Sequence, residues 1–182
     1  MAIILERGRR EYASKYDRGE EVFYAKGAAI LLKREALEKT GLFDSDIFMY
    51  FDAADLCWRI HLSDYKVLFV PNSIVYHASD LTASEMLQKK RLYFYARNHI
   101  LMLLKNYSLE NAFKAVAVSF LYETRNMALL LARRKPLTSA AILKGLLWNL
   151  LHLKRTWVKR QEVQHCVRVV PDEEIKKRML KP

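Results

Sequence analysis

The stretch 50-YFDAADLCWRIHLSDYKVLFVPNSIVYH-77 decides how the first half of this chain is expected to fold. Residues 53–62 have helical spacing, and Asp52 stands directly before them, where it can cap the helix. Residues 66–70 are β-branched and aromatic and are closed by a Pro-Asn pair, so they predict a strand and a turn. Residues 73–76 are predicted as a second short strand, which ends at His77.

The residues before this stretch predict two further strand segments and a helix. Residues 22–25 and 28–32 are the strand segments, with Gly27 as a hinge between them. Residues 34–40 are predicted as a two-turn helix that ends at Gly41.

The residues after it predict three long helices. A Thr82-x-x-Glu85 capping box opens the first, which is expected to reach Lys105. Ser108 opens the second, which ends before Pro136, and Thr138 or Ser139 opens the third. The apolar stripe expected on the second helix consists of Phe113, Ala117, Phe120, Leu121 and Thr124. The charged tail after Pro171 is expected to be frayed.

Length and composition predict one domain, or a small domain with an appendage. The 182 residues are 52% hydrophobic, which is enough for a packed core. Cys57 and Cys166 are far apart and form no CxxC pair, which argues against a disulfide scaffold and a structural zinc site. A reduced compartment is the simplest interpretation.

Charge divides the chain into two unlike halves. Residues 1–80 carry 11 Lys and Arg against 13 Asp and Glu, whereas residues 81–182 carry 20 against 7. The second half is therefore expected to bind anions. A solvated charged face, docking on an anionic membrane surface and nucleic-acid binding are the three interpretations. The leucine-rich helices favour the membrane surface and disfavour nucleic acid. No signal peptide or bilayer-spanning segment is expected.

Asp52 and Asp55 are the candidate catalytic residues. They lie three positions apart, so both occupy one face at the start of the predicted helix. Their pattern alone favours a helix cap with a first-turn acid, and the alternative is a general base at the mouth of a site. Arg59 lies four positions after Asp55, either as an ordinary helical ion pair or as a residue that holds Asp55 within the site.

His77, Lys26 and Gly27 are weaker candidates. A histidine at a strand end suits a structural hydrogen bond, or a metal ligand if carboxylates converge on it. Lys26-Gly27 can bind phosphate through an ammonium group and a backbone N–H. Cys57 and Trp58 suit a core-facing position.

Several short segments in this part of the chain form a recognisable series. They are 23-FYAKGAA-29, 33-KRE-35, 41-GLFD-44, 48-FMYFD-52, 55-DLCWR-59, 65-YKV-67, Pro71 and 75-VYH-77. In order and spacing this series resembles the C-terminal half of the catalytic domain of family 2 glycosyltransferases, of the rhamnosyltransferase-like inverting type. The basic helices resemble the membrane-associating extension that such enzymes often carry.

The resemblance implies an α/β fold. Residues 1–80 are expected to form the C-terminal half of a GT-A domain, which is Rossmann-like, and residues 81–182 a basic amphipathic helical extension. A separate N-terminal half with the nucleotide site and an Asp-x-Asp is expected as a partner, so the isolated chain is expected to be inactive. A cytoplasmic location, peripheral on the inner face of the cell membrane, is the matching expectation.

The resemblance also implies a reaction and its residues. A nucleotide-diphosphate sugar is the expected donor, with Mg²⁺ or Mn²⁺, and a lipid-linked or other glycan is the expected acceptor in polysaccharide biosynthesis. The acidic motif matches Asp52 and Asp55, although Ala53 replaces its second acid. The candidate substrate-binding residues are Lys26, Gly27, Trp58 and Arg59, and the candidate metal ligand is His77. A non-catalytic module that binds a membrane surface or a partner is the alternative.

Overall fold

The structure is a computed structural model, and it describes residues 11–76 and 85–179. Within these residues the chain is mainly helical. The α-helices in chain order are α1 (Arg34–Thr40), α2 (Asp52–Leu62), α3 (Glu85–Asn106), α4 (Leu109–Ala132), α5 (Pro136–Leu151), α6 (Leu153–Glu162) and α7 (Asp172–Met179). A single 3₁₀ turn covers Ala13–Lys15, and a π-helical turn, Val163–Val167, continues α6.

The predicted α/β, Rossmann-like fold is wrong. The described sheet consists of two short antiparallel strands, β1 (Glu20–Glu21) and β2 (Leu68–Phe69), in which Glu20 pairs with Phe69. The predicted strands at 22–25, 28–32 and 73–76 are not formed. Leu31, Ile74 and Tyr76 are exposed. Because β-branched and aromatic residues form strands only where neighbouring strands bury them, these runs remain irregular.

The helix predictions agree better with the structure. α1 has the predicted bounds and ends at Gly41, whose φ of 75° is in the region that favours glycine. α3 ends one residue beyond the predicted Lys105, and Ser108 precedes α4 as predicted. The Thr82 part of the capping box lies outside the described residues.

The last third of the chain departs from the prediction at three points. Its third long helix begins at Pro136. The first N–H groups of a helix have no partner within the helix, so the missing N–H of proline costs no hydrogen bond at this position. The helix is interrupted at His152, which separates α5 from α6. Residues 172–179 of the tail are not frayed, because they form α7, which buries Ile175 completely in the core.

One hydrophobic core joins the two halves of the chain. Ile47 and Trp58 from the first half pack in one cluster with Leu101 and Tyr107 of the second. Val163, Val167 and Ile175 close this cluster from the C-terminal side. α2 is therefore held between α3 and the C-terminal segment.

The C-terminal end of α3 is bonded by side chains of the segment that follows α5. Arg160 donates to the carbonyl oxygens of Leu104 and Tyr107, the latter at 2.7 Å. Gln164 Nε2 donates to Lys105 O at 2.9 Å and Asn106 O at 3.1 Å, and Arg168 also donates to Asn106 O. These contacts satisfy carbonyls that a helix end leaves free, and the two arginines complement its dipole.

Among the described residues no helix is both long enough and apolar enough to span a bilayer.

Candidate functional site

Asp52 and Gly27 meet at the N-terminal end of α2. Asp52 is the first residue of this helix and is partly exposed. A Cβ atom at Gly27 would lie 3.7 Å from Asp52 Oδ2 and 3.5 Å from the Ala53 Cβ. The structure thus brings the Lys26-Gly27 loop onto the carboxylate that the sequence singled out.

Asp52 does not cap α2 as the pattern predicted. The capping position belongs to Phe51, which has φ 65° and makes no side-chain hydrogen bond to the helix. Tyr50 has φ 62°, so two successive non-glycine residues are left-handed. Such residues cost roughly 1–3 kcal/mol each and persist where the surrounding structure holds them.

Asn98 of α3 supplies part of that support. Its side chain is fully buried, and its Nδ2 donates to Met49 O at 2.6 Å and to Tyr50 O at 3.1 Å. Arg97 donates to the carbonyl oxygen of Asp46 in the same loop. Two neighbouring residues of α3 therefore hold the loop that precedes Asp52.

Asp55 is structural in this geometry. It is completely buried, and its carboxylate accepts from Arg59 Nε at 3.1 Å, Lys105 Nζ at 2.8 Å and Asn106 Nδ2 at 2.8 Å. A carboxylate with three donors and no exposed surface cannot reach an acceptor hydroxyl. Asp55 therefore anchors α2 to the end of α3 and does not supply the catalytic base.

Arg59 has a matching structural role one turn farther along α2. Its guanidinium pairs with Asp55 and donates to the backbone oxygens of Thr40 at 2.5 Å and Leu42 at 2.8 Å. It thereby fixes the C-terminal end of α1, and 4% of its surface is exposed. The expected contact between Arg59 and substrate is replaced by these internal bonds.

The ion cluster around Asp55 extends to two further acids, Asp44 and Asp46, in the loop after α1. Lys105 Nζ lies 2.6 Å from Asp44 Oδ2, and Lys159 also binds Asp44. Asp46 pairs with Lys159 and Arg155, each at 2.6 Å. These pairs bind the loop after α1 to α3 and α6, and no sequence signal showed that distant lysines would meet these acids.

The cluster determines the charge state of Asp44. Burial acts to raise the pKa of Asp44, but the charge of Lys105 and the hydrogen bonds from Lys105 and Lys159 outweigh it. They hold this pKa well below its usual range. Asp44 is consequently a permanent anion in the folded protein at neutral pH.

Trp58 lies in the core. It is 1% exposed, and its ring makes edge contacts with Phe23 at 5.9 Å and Tyr107 at 4.6 Å between centroids. The core-facing interpretation of Trp58 agrees with this position, whereas direct contact with a substrate does not. His77, the candidate metal ligand, lies outside the described residues.

Aromatic side chains of α3 pack against the two residues that precede Asp52 in the chain. The Tyr95 ring of α3 lies 4.8 Å from Tyr50 and 5.1 Å from Phe51, between centroids. His99 stacks on Phe51 at 5.1 Å. The aromatic block at 48–51 was visible in the sequence, but its partners on α3 depend on tertiary packing.

The described residues do not form a metal centre. No group of three or more His, Cys, Asp or Glu side chains within residues 11–76 and 85–179 is arranged to hold a metal ion. Asp44 and Asp55 are occupied by lysine and arginine donors instead. Within these described residues, which do not include His77, the Mg²⁺ or Mn²⁺ expected from the resemblance therefore has no ligand set.

Comparison of the chain with protein-family models, with curated proteins and with solved structures gave no match.

Proposed function

We propose that this chain forms the acceptor side of an inverting sugar transferase, with Asp52 as the general base. The main observation in support is that Asp52 and Gly27 lie close together at the exposed end of α2. Asp52 is the one member of the acidic pair with exposed surface, because Asp55 is buried among its donors. The family resemblance of residues 23–77 supplies the reaction class.

The proposed step is a single displacement at the anomeric carbon of a nucleotide-diphosphate sugar. The acceptor hydroxyl oxygen forms a bond to the anomeric carbon while the bond to the diphosphate oxygen breaks and its electron pair leaves with the diphosphate. Asp52 takes the hydroxyl proton, which general-base catalysis by a positioned carboxylate allows. Ala53 is buried in α2. An acidic side chain at this position would also be buried, so it could not act as the base.

Gly27 leaves room beside Asp52 in this arrangement. A side chain there would fill the space in front of Asp52, since its Cβ would already be in van der Waals contact with Ala53. Glycine keeps that space open for an acceptor and allows the backbone to approach it. The nucleotide site is proposed to come from a separate nucleotide-binding half.

A reconstituted transfer assay tests this proposal. The chain is combined with vesicles that carry a polyprenyl-diphosphate-linked glycan, a separately produced nucleotide-binding half of a sugar transferase and radiolabelled nucleotide sugars. Asp52→Asn should lower transfer to the lipid fraction by about 10² to 10⁴, the usual contribution of a general base. Leu31→Ser, at a fully exposed position outside α2, is the matched control. Full transfer by Asp52→Asn would refute the role of Asp52.

A second candidate function is docking on an anionic membrane surface, which the exposed face of α4 to α6 favours. The residues predicted as the apolar stripe of α4 point away from the core: Phe113, Phe120 and Leu121 are 63%, 53% and 69% exposed. Ala112, Ala115 and Ser119 are buried instead. On α5 and α6, Leu147, Leu150 and Trp157 are also exposed.

The charge of this region complements an anionic bilayer. Residues 109–162 contain ten Lys and Arg and three Glu. Arg133, Arg134 and Lys135 form an exposed basic turn between α4 and α5. Apolar side chains beside basic ones are the composition of helices that lie in the membrane interface.

Sedimentation with vesicles tests the docking. Phosphatidylglycerol-containing vesicles should bind the chain, and salt should weaken the binding because it screens the charges. The double variant Phe120→Ser/Leu121→Ser should bind roughly tenfold more weakly, since two exposed side chains lose their insertion. Leu31→Ser is the control. Equal binding to neutral phosphatidylcholine vesicles, or unchanged binding by the double variant, would contradict the docking.

A further inference from the structure

Tyr50, Phe51 and Tyr95 form a cluster of contacting rings, and the first two immediately precede Asp52 in the chain. The Tyr95 ring contacts both other rings, and the chain passes from Tyr50 through Phe51 into Asp52. Tyr95 is 44% exposed, and Tyr50 and Phe51 are partly exposed. We call these three side chains the aromatic platform.

A second pair of rings joins the same loop to α3. Phe48 is 74% exposed, and its ring lies 6.3 Å from Phe94 of α3 between centroids. Met49, 42% exposed, lies between Phe48 and the platform in the chain. The loop that precedes Asp52 therefore packs against α3 through aromatic rings at more than one point.

The backbone of Tyr50 and Phe51 is strained, and hydrogen bonds from α3 hold it in place. Tyr50 and Phe51 both have positive φ angles, which bulky residues adopt rarely. Asn98 bonds the carbonyl oxygens of Met49 and Tyr50 from a fully buried position. Glycine or asparagine would adopt these angles at lower cost, so two aromatic residues here indicate that the rings themselves are needed.

We propose that the aromatic platform binds a pyranose ring of the acceptor glycan. Tyrosine and phenylalanine rings combine a flat apolar face with, in tyrosine, a hydroxyl group, and this suits the C–H face and the rim hydroxyls of a pyranose. The Tyr50 and Tyr95 rings are inclined at 57° to each other, so a sugar would stack on the face of Tyr95 while the Tyr50 ring borders it, two residues before Asp52 in the chain. The inference deepens the proposed function, because it assigns the acceptor subsite of the same site.

Saturation-transfer NMR on the full chain tests the platform without any transfer reaction. The probes are the methyl pyranosides of glucose, galactose, mannose, rhamnose and N-acetylglucosamine. At least one should receive saturation on its ring C–H protons more strongly than on its methyl group. This pattern reports stacking, which a merely structural role of the rings does not produce.

Two variants and one control complete the design. Tyr95→Ala removes an exposed ring from a helix, and Tyr50→Asn removes a ring while keeping a residue that tolerates positive φ. Each should weaken pyranoside binding roughly tenfold. Tyr122→Ala on α4 is the matched control, because Tyr122 is also 44% exposed on a helix. Thermal unfolding checks that each variant is folded.

The outcomes separate this inference from the proposed function. Absence of saturation transfer from the wild-type chain to every pyranoside would overturn the platform, and so would unchanged binding in both ring variants. Loss of binding in Tyr122→Ala as well would equally overturn it. If Asp52→Asn still binds pyranosides and also transfers sugar as well as the wild type, Asp52 is not the catalytic base. The platform would stand in that case.

Discussion

Asp55 is the residue whose replacement should cost the fold most. Asp55→Asn keeps the shape of the side chain but leaves Arg59 and Lys105 without their shared anion in a buried place. Removing one partner from a buried ion pair typically costs about 3–5 kcal/mol. We therefore expect the free energy of unfolding, measured by urea titration, to fall by about 3 kcal/mol or more.

Asp52→Asn is the matched control, since both variants change aspartate to asparagine in the first turn of α2. Asp52 is partly exposed and does not cap the helix, so its replacement should change the free energy of unfolding by no more than about 0.5 kcal/mol. A large loss in Asp52→Asn with a small loss in Asp55→Asn would reverse the roles assigned to the two acids.

Asp44 should make stability depend on pH in the acidic range. Its pKa is held below the usual range in the folded protein, whereas the unfolded chain has a value of about 3.9. The unfolded state therefore binds the proton more readily, and the stabilisation present above about pH 4 is lost as the pH falls below it.

Urea unfolding of wild type and Asp44→Asn between neutral and acidic pH measures this contribution. The difference between their free energies of unfolding should be constant near neutral pH and shrink below about pH 4. A difference that stays constant throughout the acidic range would show that the Lys105 and Lys159 pairs do not lower this pKa.

At the scale of elements, the closest helix contact is between α3 and α5. Gly145 is the reason for it: a Cβ there would lie 2.6 Å from Tyr93 O and 3.1 Å from the Arg97 N. The obstacle is backbone, so it cannot rotate away. Gly145→Ala should therefore lower the free energy of unfolding by about 2 kcal/mol, despite the roughly 1 kcal/mol that alanine gains in a helix.

Gly27→Ala tests the same change where there is room. Its Cβ would meet Ala53 Cβ at 3.5 Å, an ordinary contact. Thermal unfolding should show a lower Tm for Gly145→Ala and almost no change for Gly27→Ala. A stabilised Gly145→Ala variant would mean that α3 and α5 are farther apart than described.

The helices could be predicted from the sequence because their signals are local. Gly41, Ser108 and Pro136 mark helix ends through their own backbone preferences, and each stands at or beside an end in the structure. The strands could not, because strand formation requires partners elsewhere in the chain. Which side of α4 is buried was also unpredictable: its small residues face inward because neighbouring helices approach closely.

At the scale of the molecule, the two halves of the chain should not fold separately. Residues 1–80 contain Asp55 and Trp58, but their partners Lys105, Asn106 and Tyr107 belong to α3 and the turn after it. A chain of residues 1–80 alone should show no cooperative urea transition, whereas the full chain should. A cooperative transition in the shorter chain would establish an independent first domain.

Only part of the candidate site could be predicted from the sequence. Asp52, Gly27 and the aromatic block were identified from neighbouring residues, and the structure brings Asp52 and Gly27 together. The basic half was expected to direct its charges outward. Lys105, Lys159, Arg160 and Arg168 instead bind acids or helix carbonyls within the protein. Charge counts cannot distinguish these from exposed cations, because that depends on which acids the fold brings near.

The bonded end of α3 makes the segment 160–168 sensitive to length. Arg160, Gln164 and Arg168 recur at intervals of four residues and reach consecutive carbonyls only because the π-helical turn Val163–Val167 sets their rotation. One inserted or deleted residue would rotate everything beyond it by about 100°. Related chains should therefore keep both these three donor side chains and the number of residues between them.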